Sequence, residues 1–488
     1  MREYIEQIQQ MSHKQLVLLL AKKKQEETAP LPIVGYGFRF PGNINNIEKL
    51  WQSMTDKAIH IIDYPEGPPG TQARPRWNPQ SYGNQLTLRH GAYLESLDAL
   101  YQMDNMQTDE ATYLDPQQRL LMQCCHEAMA SAGLPLDALA NKKVGIFIGI
   151  STAEFFHASL HNQLTAAQLS PYMGTGIALS ATAGRLAMML GSQGPTLAID
   201  TACSSGLSAL HTAKNSLRRG ECDWALVGVS HLLLSPFTSL AFEQAGMLSP
   251  DGQSRPFDMA ANGHVRGEGV GVILLTKKSI AENEKLNIKA WVKGSAIHQQ
   301  GNRPAMSAST GKSQQHILCE ALEDAGLTTN DIDYIEAHAV GNKLGAQIEI
   351  ESLRAVYDSN KYDSKKNIYV GSAKANWGHL ETASGLLSVM KTIALMQHRE
   401  IPPQTAIEQL DECIDQPQSH IQVNLQPVSL SHQLPIRCGI SSFGFTGTNA
   451  HVILESNSAA NIDDRNSSSQ SSTTIPTTHL WPTNNVWK

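Results

Sequence analysis

Cysteine is sparse, with seven in 488 residues. The number is odd, Cys124 and Cys125 are adjacent, and no two stand as a C-x-x-C pair, so neither a disulfide framework nor a zinc site is suggested and a reducing compartment fits. No apolar run approaches the roughly 18 residues needed to span a bilayer, and the N-terminus lacks the apolar stretch and cleavage site of a signal peptide. The sequence therefore reads as soluble and cytoplasmic. A basic excess is missing too: 38 Lys and Arg against 45 Asp and Glu give a net charge of −7 and a pI near 6.2. That argues against a general nucleic-acid or anionic-membrane binder and leaves small molecules and proteins as partners. No fixed-period repeat is present. The glycines that end the strand 31–37, Gly35 and Gly37, start a dinucleotide fingerprint that stops short, because Phe40 stands where its third glycine belongs and Arg39-Phe40-Pro41-Gly42 opens no helix.

What is there is an ordinary globular composition, 41% hydrophobic and 17% charged, long enough for about three domains or one large α/β unit. The stretch Asp200-Thr201-Ala202-Cys203-Ser204-Ser205-Gly206 organises it. Ahead lies a short buried strand, 196–199; behind, Leu207, Leu210 and Leu217 recur at helical spacing until Arg218, Arg219 and the stop at Gly220. Cys203 thus sits at a tight turn before a helix N-terminus, whose free N–H groups and partial positive charge lower a thiol's pKa and steady an oxyanion. A nucleophile fits there, as would a small buried residue.

Around this unit strands and helices alternate. Residues 1–27 read as helix, in two short pieces, with Ser12 and Gln15 as a capping box; an amphipathic segment packed on its own domain is preferred over a docking element. Residues 43–115 read as helices joined by long ordered loops, notably near 65–79. Helices follow at 116–131, with Pro116 in the first turn, and near 180–190; strands are expected at 144–150, 224–229 and 270–276. A second series has strands at 288–292, 334–337, 368–371, 436–440 and 451–454, and helices at 312–325 and 380–396. The alternation marks an α/β fold. From 456 to 488 the chain is rich in Ser, Thr and Asn and reads as a flexible tail, whose Trp481, Pro482 and Trp487 suggest an end that docks on a surface.

His338 follows the strand 334–337, and His379 ends Lys374-Ala375-Asn376-Trp377-Gly378-His379. Strand ends in open α/β sheets are where sites assemble. Two histidines in such loops, with a lysine and a poised cysteine, outweigh a purely structural reading of either. A papain-like hydrolase would also pair Cys with His, but it leaves the second His and Lys374 unemployed.

Ordered motifs carry a resemblance over residues 31–455. They are Val34-Gly35 with Arg39-Phe40-Pro41-Gly42; Leu114-Asp115-Pro116-Gln117-Gln118-Arg119; Gly194-Pro195 with the Cys203 stretch; Ser249-Pro250-Asp251-Gly252 with Phe257-Asp258; Val265-Arg266-Gly267-Glu268-Gly269; Gly371-Ser372 with Lys374, Asn376 and Gly378-His379-Leu380; and Ser441-Ser442-Phe443-Gly444-Phe445 with Gly447-Thr448-Asn449-Ala450-His451-Val452. The chain resembles the ketosynthase (β-ketoacyl synthase) domain of modular polyketide synthases, within the thiolase superfamily. The resemblance implies a five-layer αβαβα fold of two pseudo-duplicated βαβαβαββ halves. The expected divisions are an N-terminal helical segment at 1–30, a nucleophile half at 31–285, a histidine half at 286–455 and the tail at 456–488.

It also implies a reaction. Cys203 would accept an acyl chain from a carrier-protein thioester, and a malonyl-type extender would lose CO2 to give an enolate that attacks the Cys203 thioester. His338 and His379 would stabilise the charge on the extender's thioester oxygen. Lys374 would pair with Glu349, and the backbone N–H groups of Cys203 and Phe445 would form an oxyanion hole, with Phe445 gating the pocket. No resident cofactor or metal is implied, since substrates ride on the phosphopantetheine of an acyl carrier protein. The carrier and a separate acyltransferase would act in trans, the carrier docking on a local Lys and Arg patch, and the domain would be a homodimer. Several positions depart from the family pattern. Val340 and Asn342 replace threonines after His338 and Ala339 a glycine, Ala346 and Gln347 replace Asp-Pro before Glu349, Thr446 replaces a glycine, Trp377 a branched aliphatic, and Asn262 and His264 replace Asp and Tyr. A non-condensing acyl-transfer enzyme or carrier-docking scaffold is the second reading, and a Cys hydrolase the third.

Overall fold

The computed structural model describes residues 8–63, 90–95, 97, 110, 113–161, 170–358, 366–431 and 435–457. The loops expected near 65–79 and the tail beyond residue 457 lie outside the described residues.

Among the described residues, eleven strands form one mixed sheet. In chain order they are β1 (Leu31–Arg39), β2 (Val144–Gly149), β3 (Thr196–Ile199), β4 (Trp224–His231), β5 (Gly269–Thr276), β6 (Ala290–Gln299), β7 (Tyr334–Glu336), β8 (Ile368–Gly371), β9 (Ile421–Val423), β10 (Arg437–Phe443) and β11 (Thr448–Glu455). Across the sheet they run β9-β8-β7-β10-β11-β6-β1-β5-β4-β2-β3. Outward from the β1–β6 junction, each side repeats one pattern. The first strand of the half pairs antiparallel with its last, the last antiparallel with the strand before it, and that strand and the third flank the second in parallel; β9 is an additional strand, parallel to β8 at the outer edge of the second half. The halves join where Leu31, Pro32 and Ile33 meet Val292, Trp291 and Ala290.

Six helices supply the crossovers: α1 (Pro116–Ser131), α2 (Leu179–Leu190), α3 (Ser205–Arg219), α4 (Gly311–Ala325), α5 (Lys343–Tyr357) and α6 (Ser384–His398). Each half therefore reads βαβαβαββ, with β9 added in the second. Helices α3 and α6 lie between the two halves, and their Leu207, Leu210, Leu386, Leu387 and Met390 share a core with Val227 of β4 and Ile440 and Val452 of the second half. Helices α1 and α2 cover the outer face of the first half, and α4 and α5 that of the second. These are the five expected layers. Buried on both faces, β2, β4 and β5 read as near-continuous apolar runs.

Local chemistry sets the helix ends. Asp115 caps α1 by accepting from the Gln117 N–H at 2.8 Å, with Pro116 at the first position where its missing N–H costs nothing. Helix α3 ends at Gly220 in the left-handed conformation, as expected. Three expectations change. Strand β3 is not buried: it is the last strand of the sheet, and Leu197 is 47% exposed. Helix α5 occupies a segment for which the periodicity predicts no element. The His13–Thr28 helix keeps its capping box, Ser12 N–H to Gln15 Oε1 at 2.8 Å and Gln15 N–H to Ser12 Oγ at 3.3 Å, but leaves Val17, Leu18 and Leu20 exposed instead of packed. All seven cysteines are free thiols. No helix among the described residues is long and apolar enough to cross a membrane.

Candidate active site

Strand β3 delivers the chain to Asp200, whose carboxylate accepts from the Ala202 N–H at 2.9 Å. Ala202 is held at φ +55°, a conformation that β-carbon-bearing residues rarely adopt. This strained turn places Cys203 in a single 3₁₀ turn, Ala202–Ser204, directly before α3. The second half closes over it. Ser442 Oγ donates to the Cys203 carbonyl at 2.7 Å, and Ser204 Oγ lies 2.8 Å from the Thr448 carbonyl. Gly444 lies so close that a Cβ there would come within 2.4 Å of the Thr201 carbonyl oxygen. That approach brings the backbone N–H of Phe445 to the Cys203 sulfur, beside the N–H of Cys203 itself.

His379 follows the Lys374–Trp377 turn and is tied to the first half through its N–H, which donates to the Val265 carbonyl at 2.7 Å. Its Nε2 lies 3.0 Å from Cys203 Sγ and its Nδ1 2.9 Å from Ser384 Oγ. His338 leaves the end of β7, and its ring stands edge-on to His379 with centroids 5.6 Å apart. Three residues predicted from separate stretches thus converge. The rim carries Phe445, which is 40% exposed and packs edge-on against Phe242 at 6.3 Å.

Burial dominates the electrostatics. It pushes the Cys203 thiol up to about 12, reinforced by the Glu381 carboxylate and opposed by the Phe445 N–H, the Lys374 ammonium and the Cys203 N–H. The lowering expected from the helix N-terminus is outweighed. Burial also holds His338 and His379 well below the ordinary imidazole value, with Lys374 and His264 adding to the effect on His338, and His264, His338 and Lys374 on His379. At neutral pH the resting site therefore holds a thiol and neutral imidazoles.

The expected Lys374–Glu349 pair is corrected. The two make no direct ion pair: Lys374 Nζ donates to the Ala337 carbonyl at 3.4 Å, and Glu349 instead accepts the N–H groups of His338 and Ala339 at 2.8 and 2.9 Å. Two backbone donors and the more distant Lys374 charge do not offset burial, which pushes Glu349 up to about 7. Lys374 is lowered by burial and supported by the charges of Glu336, Glu349 and Cys203. Lys391 instead makes a direct buried pair with Glu336, at 2.8 Å, joined by the Tyr334 hydroxyl at 2.6 Å.

Sequence motifs alone assign no role to two further residues at the site. Arg266 is buried between Glu381, 2.6 Å from its Nε, and Glu154, 3.2 Å from its Nη2. His264 stands edge-on to His379 at 5.4 Å, with its Nε2 buried and unpartnered among the described residues. Both lie in or beside the Val265-Arg266-Gly267-Glu268 motif, so a signal is present. The departures from the family pattern meet in space: the Gly263 N–H donates to the Gly341 carbonyl at 3.1 Å, joining the His264 loop to the loop after His338. Ala339 is buried there, and Asn342 caps α5, accepting from the Gly345 N–H at 2.9 Å.

Comparison with known proteins agrees with this architecture. Residues 28–281 match the β-ketoacyl synthase N-terminal domain, 289–408 its C-terminal domain and 412–481 the ketoacyl-synthetase C-terminal extension. A phenolphthiocerol/phthiocerol polyketide synthase of Mycobacterium tuberculosis is 36% identical over 453 residues, which is 90% of this chain. An erythronolide synthase of Saccharopolyspora erythraea is 36% identical over 437 residues, 87% of this chain. The chain spans only 20% and 13% of the length of these two relatives. Among solved structures, the ketosynthase from module 6 of the Bacillus subtilis bacillaene synthase superposes with a TM-score of 0.78 at 32% identity, covering 88% of this chain and 72% of that one. An oxazolomycin ketosynthase domain of Streptomyces albus gives 0.80 at 28%, covering 88% and 75%. With both domain models matched in order around Cys203, His338 and His379, the chain belongs to the β-ketoacyl synthase family, and its relatives are ketosynthases of modular polyketide synthases.

Proposed function

We propose that this chain is a condensing ketosynthase of polyketide-type assembly. The observation that carries the reading is the 3.0 Å approach of His379 Nε2 to Cys203 Sγ beneath the N–H groups of Cys203 and Phe445. In the first half-reaction the Cys203 proton passes to His379 as sulfur attacks the acyl thioester of a carrier's phosphopantetheine. The two N–H groups bind the tetrahedral oxyanion, and the carrier thiol leaves with the proton. A malonyl-type thioester then enters. Its carbon–carboxylate bond breaks, CO2 leaves, and the electron pair becomes an enolate whose oxygen accepts N–H donors from His338 and His379. The enolate carbon attacks the Cys203 thioester carbonyl, forming the new carbon–carbon bond and expelling Cys203 as thiolate. Lys374 keeps the local potential positive while that thiolate exists, and Glu349 fixes the backbone that carries His338.

The family's wider setting comes with the proposal. An acyl carrier protein and an acyltransferase serve the domain from other segments or chains, no resident cofactor takes part, and the domain pairs with a second copy. The open edge of β3 with its exposed Leu197 supports a pairing surface, and seven unpaired cysteines suit the cytoplasm. The division into an N-terminal segment, two halves and a tail at 1–30, 31–285, 286–455 and 456–488 is proposed on the strand repeat.

One observation favours a second reading, acyl transfer without condensation. The segment after His338 offers no threonine hydroxyl, since Val340 and Asn342 stand at those positions and the Asn342 side chain is spent on capping α5. Intact-protein mass spectrometry separates the two. Acyl mass on Cys203 that moves to a malonyl-loaded carrier as a β-ketoacyl product establishes condensation. Acyl mass that returns unextended to a carrier establishes transfer.

A further inference from the structure

Strand β6 and helix α4 pack against each other on the outer face of the second half. Near the end of β6, His298 faces the first three turns of α4, where His316 and Glu320 stand four residues apart on one side of the helix. The two imidazoles meet edge-on with centroids 4.7 Å apart, and His316 Nε2 lies 3.1 Å from Glu320 Oε1. One ligand atom from each of the three residues lies within 4.8 Å of the other two. His298 is half-buried, whereas the side chains of His316 and Glu320 are 56% and 40% exposed, so an ion could enter from solvent.

We propose that His298, His316 and Glu320 bind a first-row divalent cation of the zinc type. Two imidazole nitrogens and one carboxylate oxygen are the donors such ions select over magnesium or calcium, and three protein ligands leave a coordination position for water. Bonds of about 2.0–2.1 Å at tetrahedral angles need donors separated by about 3.3 Å. The His316–Glu320 spacing already meets that requirement. Small rotations of side chains open to solvent bring in the third donor. None of the three contacts the Cys203 site, so the inference is independent of the condensing reading.

Position gives the site a consequence. His298 and helix α4 bracket the segment 299–310, and that segment holds the loop bearing Phe445. Gln299 Nε2 donates to the Thr446 carbonyl at 3.5 Å, the Gln300 N–H to the Gly447 carbonyl at 3.0 Å, and Arg303 Nη2 to the Phe445 carbonyl at 3.4 Å. Gln300 Oε1 in turn accepts the Thr310 N–H at 3.1 Å. A cation joining His298 to His316 ties the start of this clasp to the helix that follows it. Metal binding thereby restrains the loop of the rim residue Phe445.

The test uses the full chain with Cys203→Ala, so that the Cys203–His379 pair cannot supply a competing zinc site. After chelator treatment, Zn2+ is titrated by calorimetry, and Co2+ by its visible absorption. The expected result is one equivalent bound in the parent, weakened about tenfold or more by His316→Ala and by His298→Ala. His316→Ala alters an exposed side chain and secures the comparison should His298→Ala misfold. Binding equal to the parent's in His316→Ala, or no saturable binding at all, overturns the proposal.

Discussion

His379 Nε2 stands 3.0 Å from Cys203 Sγ, whereas His338 meets His379 ring edge to ring face, with centroids 5.6 Å apart, and makes no hydrogen bond to Cys203. The two histidines are therefore unequal. His379→Ala removes the imidazole in contact with the thiol, so it should slow both Cys203 acylation and condensation, by about 10²–10⁴-fold. His338→Ala should leave acylation within a few-fold while condensation falls by about 10²–10³-fold, the usual loss of one oxyanion donor. Single-turnover acylation followed by product formation on the carrier measures each step. Equal effects of both substitutions on acylation would remove the distinction.

The resting protonation state predicts a pH profile. Burial raises the Cys203 thiol to about 12 and depresses His379, so the pair is thiol and imidazole, not thiolate and imidazolium. Alkylation of Cys203 by iodoacetamide should then rise roughly tenfold per pH unit from about pH 6 to 9 without a plateau, because the thiolate fraction keeps growing below the raised value. Peptide mass spectrometry distinguishes Cys203 from the exposed Cys319 and Cys413. A rate already level at about pH 6 would show a preformed ion pair instead.

Gly444 offers a test of the oxyanion hole that leaves every side chain of the site in place. A Cβ there meets the Thr201 carbonyl at 2.4 Å and the Thr448 carbonyl at 3.0 Å, both backbone atoms that cannot swing aside. Gly444→Ala must push the chain outward and draw the Phe445 N–H off the sulfur. Acylation should fall about 10²–10³-fold. Unchanged acylation in the folded variant would mean that the Phe445 N–H takes no part.

How much of the fold and site is legible in the sequence depends on the range of the interaction. Local signals hold: Pro116 opens its helix, Gly220 ends the one after Cys203, and the apolar runs of β2, β4 and β5 are strands. The alternating pattern points to the fold class, and family motifs single out Cys203, His338 and His379. The 3.0 Å contact itself, between residues 176 apart in sequence, has no local signature. Strand β3 is apolar enough to look buried, yet nothing in Thr196–Ile199 says that it is the last strand of the sheet among the described residues. Helix α5 is masked because the residues before Glu349 read first as a family motif, although Asn342 is a sound cap for a helix. Charge partners are the least legible. Motif logic matches Lys374 with Glu349, but the fold supplies Glu349 with two backbone N–H groups and gives Glu336 a direct buried partner in Lys391.

The Arg266 cluster carries the last prediction. Its guanidinium is 2% exposed and binds Glu381, Glu154 and the Ser239 hydroxyl, while Glu381 also meets His231 at 3.3 Å. Burial acts to raise Glu381, but Arg266 and then His231 hold it well below the ordinary carboxylate range. Arg266→Met keeps much of the volume and strands the carboxylates, which should destabilise the protein by about 3–5 kcal/mol at neutral pH. The sign with pH follows from linkage. A carboxylate depressed in the folded state contributes stability that is full above its unfolded value, near about 4.3, and is lost as pH falls through the folded one. The parent therefore loses this contribution in acid. In the variant Glu381 has lost its main counter-charge and takes up a proton at higher pH, which relieves the strain. The gap between parent and variant in denaturant unfolding should accordingly be widest near about pH 7 and narrow by about pH 4.5. A gap of the same size at both pH values would mean that Arg266 acts by packing and not by its charge.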